Sequence, residues 1–540
     1  MNEQATATSS GLGVVRRLVA HGLLLTLLLL AASGLSKLAT SVLTLLNGRP
    51  DVEHLPVGLA QAIIAPPLAW LLWRWLRRSL PGARGADGVI WALQSAAIYL
   101  IALITSSVTL LGMISDVLDG DNTQWPRGLG VTLGYGALWF WQYHVLKRPA
   151  FRPDRPEALS WVLGNTYAMV LTAGVSLSVL RQSLEILFGG LDEPILVGSY
   201  ASALRSAAVF ALGGALIWWW HWRALGAKEN RRGFATVLLL LAGLVLPALT
   251  ALLSLATVIS LLLPLPPDGA AWWLRILDGA PLALAGAVIG LFFWVFHWNA
   301  AALRPPKVRT IGEQVLSGIS LTMTATGVGV LINALLAGWA PPLIGEGPAG
   351  LVRSGLALVV VGAAVWVRFF RPLHQPVVAE RRIYLVLVFG LSSVVALSAL
   401  LIVGYRVFDH ILAPSAAEQS LLGLVRAPLG WLLATVLVAA YHFVLWRHDR
   451  ALAPASGNLV PRRVLLIAPA SAEPLWRDLQ ALPNVRVRWL QSEGSGSESA
   501  FSEDSIHEVR QSVQLAETDL VLFADTEHEW CMVKLRSTPW

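Results

Sequence analysis

Long apolar stretches alternate with short polar ones along most of the chain. About 20 apolar residues in a helix cross a hydrocarbon core of roughly 30 Å. Stretches of that length begin near Leu18, Val57, Val89, Gly128, Leu159, Tyr200, Phe234, Gly279, Gly312, Leu351, Ile383 and Ala427, which predicts about twelve membrane-spanning helices. Every second stretch closes on rings and polar groups: Trp73-Arg74-Trp75, Trp141-Gln142-Tyr143, Trp220-His221-Trp222, Phe296-His297-Trp298, Val367-Arg368-Phe369 and Trp446-Arg447-His448. Such side chains place an apolar body in lipid and a polar tip among headgroups, so the clusters are expected to form a belt at one membrane boundary.

After residues 453–457 (Ala-Pro-Ala-Ser-Gly) the pattern changes. Runs at 464–468, 485–490, 519–524 and 529–535 read as strands, 473–482 and 503–516 have helical periodicity, and 492–499 is a Ser/Gly/Glu-rich loop. The order β-α-β-α-β-β predicts a small α/β domain with a partly parallel sheet. The expected fold class is an α-helical polytopic membrane protein plus this C-terminal domain.

Charge adds orientation. Arg74, Arg77, Arg78 and Arg84, then Lys147, Arg148, Arg152 and Arg155, and further groups at 223–232, 304–309 and 371–382 fall in alternate connections, which the positive-inside rule places in the cytoplasm with both termini. Alternate cluster centres are 147 to 155 residues apart, Arg205-Ser206 recurs as Arg353-Ser354, Ala280-Pro281-Leu282 as Ala427-Pro428-Leu429, and Arg231-Arg232 as Arg381-Arg382. The chain is therefore divided into a cytoplasmic segment 1–15, three tandem four-helix units at 16–154, 155–304 and 305–455, and a cytoplasmic α/β domain at 456–540. An even number of spans gives every unit the same orientation, and parallel units would be arranged about an axis normal to the membrane. Gly130/Gly134, Gly286/Gly290 and Gly327 would let helices approach closely.

Tandem four-helix units with an Arg-Arg entry, a Trp/His-rich exit and a small cytosolic tail resemble the bacterial domain of unknown function 5671, over nearly all of residues 10–455. Asp278 departs from the pattern, standing where sister positions carry Arg127 and Arg426. The resemblance implies no catalytic or ligand residue.

Composition agrees with the membrane reading: over 540 residues the mean hydropathy is +0.62, with 55% hydrophobic and 14% charged residues. The net charge of +7 is unevenly placed: from Ser456 onward there are 8 Lys and Arg against 12 Asp and Glu, and before it 32 against 21. The excess positive charge thus serves topology and contact with the lipid bilayer, not nucleic acid. The lone Cys531 excludes a disulfide framework and a cysteine zinc site within one chain. Arg16-Arg17 before an apolar run resembles a signal peptide, but the run continues through Leu46 without a small-x-small cleavage site and reads as the first membrane helix.

Candidate chemistry is sparse. Arg181 and Glu185, spaced i,i+4, are expected to pair at the outer interface, and Lys37 to lie near the outer headgroups. Hydroxyl rows such as Thr322/Thr324/Thr326 and Thr250/Ser254/Thr257 read as interhelical hydrogen-bonding groups, or as the lining of a polar path. Asp116, Asp119 and Asp121 form an acidic outer loop that reads as solvated, with a divalent-cation site as the competing reading. Trp73, Trp75, Trp141, Trp220, His221, Trp222, His297, Trp298 and Trp446 read as belt residues, not metal ligands. No nucleotide, hydrolase or protease motif occurs in a supporting context, so no cofactor, metal site or catalytic activity is expected. The sequence points to a scaffold or sensor-like membrane protein whose tail meets a cytoplasmic protein partner, with a channel or carrier for a neutral or lipid-like solute as the alternative; oligomeric state is left open.

Overall fold

The computed structural model describes residues 2–48, 55–78, 80, 85–153, 156, 158–189, 194–229, 233–264, 271–339, 347–370, 379–412, 420–452, 462–469, 472–482, 485–491, 503–515, 519–524 and 530–534. The Arg231-Arg232 pair, the linker 453–457 and the loop 492–499 lie outside these described residues. Twelve long helices come first: α1 (Asn2–Leu46), α2 (Leu55–Leu76), α3 (Ala86–Leu118), α4 (Trp125–Lys147), α5 (Leu159–Gly189), α6 (Pro194–Trp219), α7 (Gly233–Leu262), α8 (Ala271–Ala302), α9 (Pro306–Ala337), α10 (Pro348–Phe370), α11 (Ala379–Leu412) and α12 (Leu421–Leu452). Eleven of the described helices are long and apolar enough to cross a membrane. The twelfth, α4, is 23 residues long but carries Arg127, Gln142, His144 and Lys147, and it packs between α1 and α3. Many large apolar side chains point outward, among them Leu391, Leu401 and Leu412 of α11, as lipid-facing helices require. The chain is an α-helical polytopic membrane protein with a small C-terminal α/β domain.

Two helices depart from α geometry. The end of α6 continues as a π turn, Trp220–Ala224, and α7 contains a π segment, Leu239–Val245, where the Leu246 N–H reaches back to the Leu241 carbonyl. Pro247 explains the second: it has no N–H to offer the Gly243 carbonyl, so the ladder slips there.

Packing follows chain order. Within α1–α4 the first helix packs against the other three and α3 against α4; within α5–α8 the first helix again packs against the other three and α7 against α8. Helix α3 joins these groups through α5 and α6, and α7 meets α10. Among the described residues no substantial packing joins α1–α4 to α9–α12, so the helices form a row and not a ring about a shared axis. The glycines expected at close crossings stand there. A Cβ at Gly134 would collide with Ser36 and at Gly130 with Thr40, both on α1; one at Gly290 would sit 2.6 Å from the Ala251 nitrogen of α7, and one at Gly327 2.7 Å from the Val359 nitrogen of α10.

The compact units divide at Trp446/Arg447, within α12. In the C-terminal domain, β1 (Arg462–Ala468), α13 (Glu473–Gln480), β2 (Val485–Gln491), α14 (Glu503–Leu515), β3 (Leu520–Ala524) and β4 (Trp530–Lys534) follow the expected order. The sheet order is β2-β1-β3-β4, with β1 parallel to both neighbours and β3 antiparallel to β4. Leu475 and Leu479 of α13 join Val509 and Val513 of α14 in one core with Val464, Leu466, Leu520 and Leu522. Both helices therefore cover the same face. Because β2 and β3 flank β1 on opposite sides, the two crossovers have opposite hands, and one is of the rare left-handed kind.

Candidate functional site: buried histidines in an aromatic seam

The terminal clusters of the even-numbered helices meet one another. Trp73 of α2 lies edge-on to Trp141 of α4 at 5.4 Å, Trp139 of α4 to Trp220 after α6 at 5.5 Å, Trp298 of α8 to Phe369 of α10 at 5.4 Å, and Trp366 of α10 to Tyr441 of α12 at 5.8 Å, while Trp222 is tilted against Phe296 of α8 at 5.5 Å. Offset and edge-to-face pairs at such distances are each worth about 0.5–1.5 kcal/mol beyond area burial. Cations line the seam: Arg74 over Trp70, Arg16 over Trp75, Lys147 over Tyr143 and Arg309 over Trp298.

A simple lipid-facing belt does not describe this arrangement. Trp75 is half-exposed, as belt residues are, and Trp141, Trp220, Trp222, Trp298 and Trp446 are half-buried, but Trp73, His221 and His297 are shut inside. The helix spacing that aims these rings along the row also places the polar residue between two rings on the inner side. In each case the imidazole is held the same way: His221 Nδ1–H donates to the Ile217 carbonyl and His297 Nδ1–H to that of Phe293, both at 2.8 Å. A carbonyl only accepts, so Nδ1 carries the proton and Nε2 of the neutral ring is left as an acceptor. For His221 that acceptor takes the Tyr99 hydroxyl of α3 at 2.9 Å.

A third such histidine, absent from the expected set, is His442, whose Nδ1–H donates to the Val438 carbonyl at 2.8 Å and whose Nε2 is buried with no partner among the described residues. It stands before the expected centre Arg447. Its signal was present in Tyr441-His442-Phe443, which repeats the ring-His-ring pattern of Trp220–Trp222 and Phe296–Trp298. Gln142 occupies the matching place on α4, fully buried, with neither amide atom bonded among the described residues.

Room for these rings comes from glycine on a neighbouring helix. A Cβ on Gly164 of α5 would lie 2.6 Å from His221 Nε2, and one on Gly243 of α7 would lie 2.7 Å from His297 Cδ2. His221 and Gly243 both sit in the π segments, a frequent position for functional residues. Beside His297 a cavity of about 30 Å³ is lined by Asn165, Thr166, Trp222, Gly243 and Arg304, and the Asn165 Oδ1 is buried without a partner. That volume and polarity suit a single water. Elsewhere His21 of α1 bonds Gln94 of α3, and Ser317 of α9 bonds Tyr384 of α11 at 3.0 Å, so polar pairs tie the first helix to the third in two of the groups.

The remaining expected residues have plain roles. Arg181 pairs with Glu185 at 2.5 Å. Lys37 donates to Gln61 at 3.0 Å. The hydroxyls at depth bond mostly to their own helix, as Thr250 does to Leu246 O and Thr324 to Ser320 O, whereas Ser107 reaches Tyr167 and Thr109 reaches Thr132 across helices. Asp119 is engaged by Arg205 at 2.6 Å and by Ser202 at 3.1 Å. The Thr123 hydroxyl, with its backbone N–H, holds the Asp121 carboxyl below the usual carboxylate range. Among the described residues no group of three His, Cys, Asp or Glu could hold a metal ion.

Neither the curated proteins nor the solved structures compared with the chain give a match. The family resemblance holds over a shorter span than the expected 10–455. Residues 313–437, running from α9 into α12, match the family model described as a domain of unknown function (DUF5671).

Proposed function

We propose that the protein is a non-catalytic membrane scaffold or sensor-like protein of the inner membrane, built from three tandem four-helix units, with both termini in the cytoplasm and the C-terminal domain as its interaction module. The observation that carries this reading is the second face of the sheet, which no described helix of the domain covers. Both helices cover one face, while the other presents exposed Arg463, Arg486 and Arg488 beside Leu465, Leu490 and Phe523, with a groove of about 390 Å³ along β1, β2 and β3. An apolar face set with three guanidinium groups suits an acidic protein surface. The extent of the family match, which stays within the four helices of the third unit, supports the four-helix division.

The test is a photo-crosslinking residue in place of Leu490 in the full chain, in its own membrane. The expected result is a discrete protein adduct that disappears when Arg486 and Arg488 are both changed to Glu; no adduct, or one indifferent to the charge reversal, counts against an interaction role. Orientation is read separately, with Ser497→Cys in a Cys531→Ser background, which an impermeant maleimide should label only after the membrane is opened. The alternative, a carrier for a lipid-like solute, is favoured by the apolar cleft between α2 and α4, and would be read as solute flux in proteoliposomes.

A further inference from the structure

Helices α2 and α4 both pack on α1, and between them lies a cleft of about 330 Å³, within the size range of sites that take small ligands. Its floor is α1, at Ala31, Ala32 and Leu35; its walls include Pro66 and Ala69 of α2 and Ala137 of α4. No charged side chain lines it. Trp73 and Trp141, in edge contact at 5.4 Å, close one end, and Trp70 stands beside them with 55% of its surface exposed. At that end, Arg74 lies over the Trp70 ring at 5.4 Å. Its guanidinium group is exposed, and among the described residues it has no carboxylate partner.

We infer that this cleft is a binding site for one anionic phospholipid, with an acyl chain between α2 and α4 and its phosphate held by Arg74. The length of the apolar walls fits a chain and not a compact solute: residues 62 to 73 of α2, at 1.5 Å per residue, give a wall roughly 16 Å long. Small residues along floor and walls make room for methylenes, and a cleft open sideways within a membrane span is filled by the surrounding hydrocarbon. The cation selects the headgroup: a ring-stacked guanidinium keeps its N–H groups free for phosphate oxygens, and a net negative lipid gains from it where a zwitterionic one is partly self-compensated. The inference is independent of the role proposed for the C-terminal domain.

The experiment uses the full chain, reconstituted in bilayers of equimolar phosphatidylglycerol and phosphatidylcholine, re-extracted in mild detergent and examined by native mass spectrometry. Wild-type protein should retain one phosphatidylglycerol per chain, at least tenfold in excess of phosphatidylcholine. Ala137→Phe fills the cleft from an exposed wall position, so it should leave the melting temperature in place and lower retention of either lipid at least tenfold. Arg74→Gln should still retain a lipid but lose the headgroup preference. Equal retention of the two lipids by the wild type, or retention indifferent to Ala137→Phe in a folded variant, would overturn the site.

Discussion

Tyr99, Gly164 and His221 show how much a single position carries. The imidazole is fixed through Nδ1 to its own helix, so its one remaining acceptor either receives the Tyr99 hydroxyl or goes unmet in a fully buried place. Hydrogen bonds between membrane helices average about 0.6 kcal/mol and reach about 1.7. Tyr99→Phe should therefore cost on that order, read as a lowered midpoint in thermal or denaturant unfolding of the purified protein. Gly164→Ala should cost more, about 1–3 kcal/mol, because the methyl group forces the imidazole off the hydroxyl as well as losing the bond. If Gly164→Ala is neutral, the imidazole is not held where we describe it. Gly243→Ala is the matching change against His297, and it adds a side chain to a π segment, so an effect confined to one of the two sites would separate ring displacement from backbone strain.

At the scale of elements, helix crossings and one loop make distinct predictions. Gly134 meets the Ser36 side chain and lies 2.5 Å, as a Cβ, from the Ala32 carbonyl; Gly134→Val should push α4 from α1 and destabilise the protein by about 1–3 kcal/mol, whereas Gly136→Val, at a position with open space, should be nearly silent in the same melt. The Asp119–Arg205 pair ties the α3–α4 loop to α6, but both partners reach solvent. A double-mutant cycle with Asp119→Asn and Arg205→Gln should return a coupling of about 0.2–1 kcal/mol that fades in high salt, and a larger, salt-independent coupling would mean the pair is shielded.

Helix positions were legible because each apolar stretch is bounded by loop residues: the expected starts near Val57, Leu159 and Phe234 fall within a few residues of α2, α5 and α7. The succession of strands and helices along the C-terminal domain was legible for the same reason of periodicity, whereas the sheet order β2-β1-β3-β4 was not. The π segments were not, since they follow from how Pro247 and His221 are accommodated in three dimensions. The seam was half legible: the clusters announced themselves as amphipathic, but only the helix row shows that they point at one another. His442 escaped notice because the basic Arg447 a turn later resembled the other cluster centres.

On the scale of the molecule, the two compact units have separate cores. Leu475→Ala empties a fully buried position under β1 and should cost the C-terminal domain about 2–5 kcal/mol. The helices should be untouched, so hydrogen exchange should quicken in residues 462–534 alone, and quickening along α1–α4 as well would show that the units stabilise each other. The row of helices has a further meaning for how the protein is made. Each ring contact in the seam joins a helix to its even-numbered predecessor, and no substantial packing among the described residues waits for a distant segment. A chain emerging from the ribosome can thus lay each hairpin against a finished neighbour, and truncation after α4 or after α8 keeps the contacts within each part and removes chiefly those of α3 with α5 and α6, or those of α7 with α10.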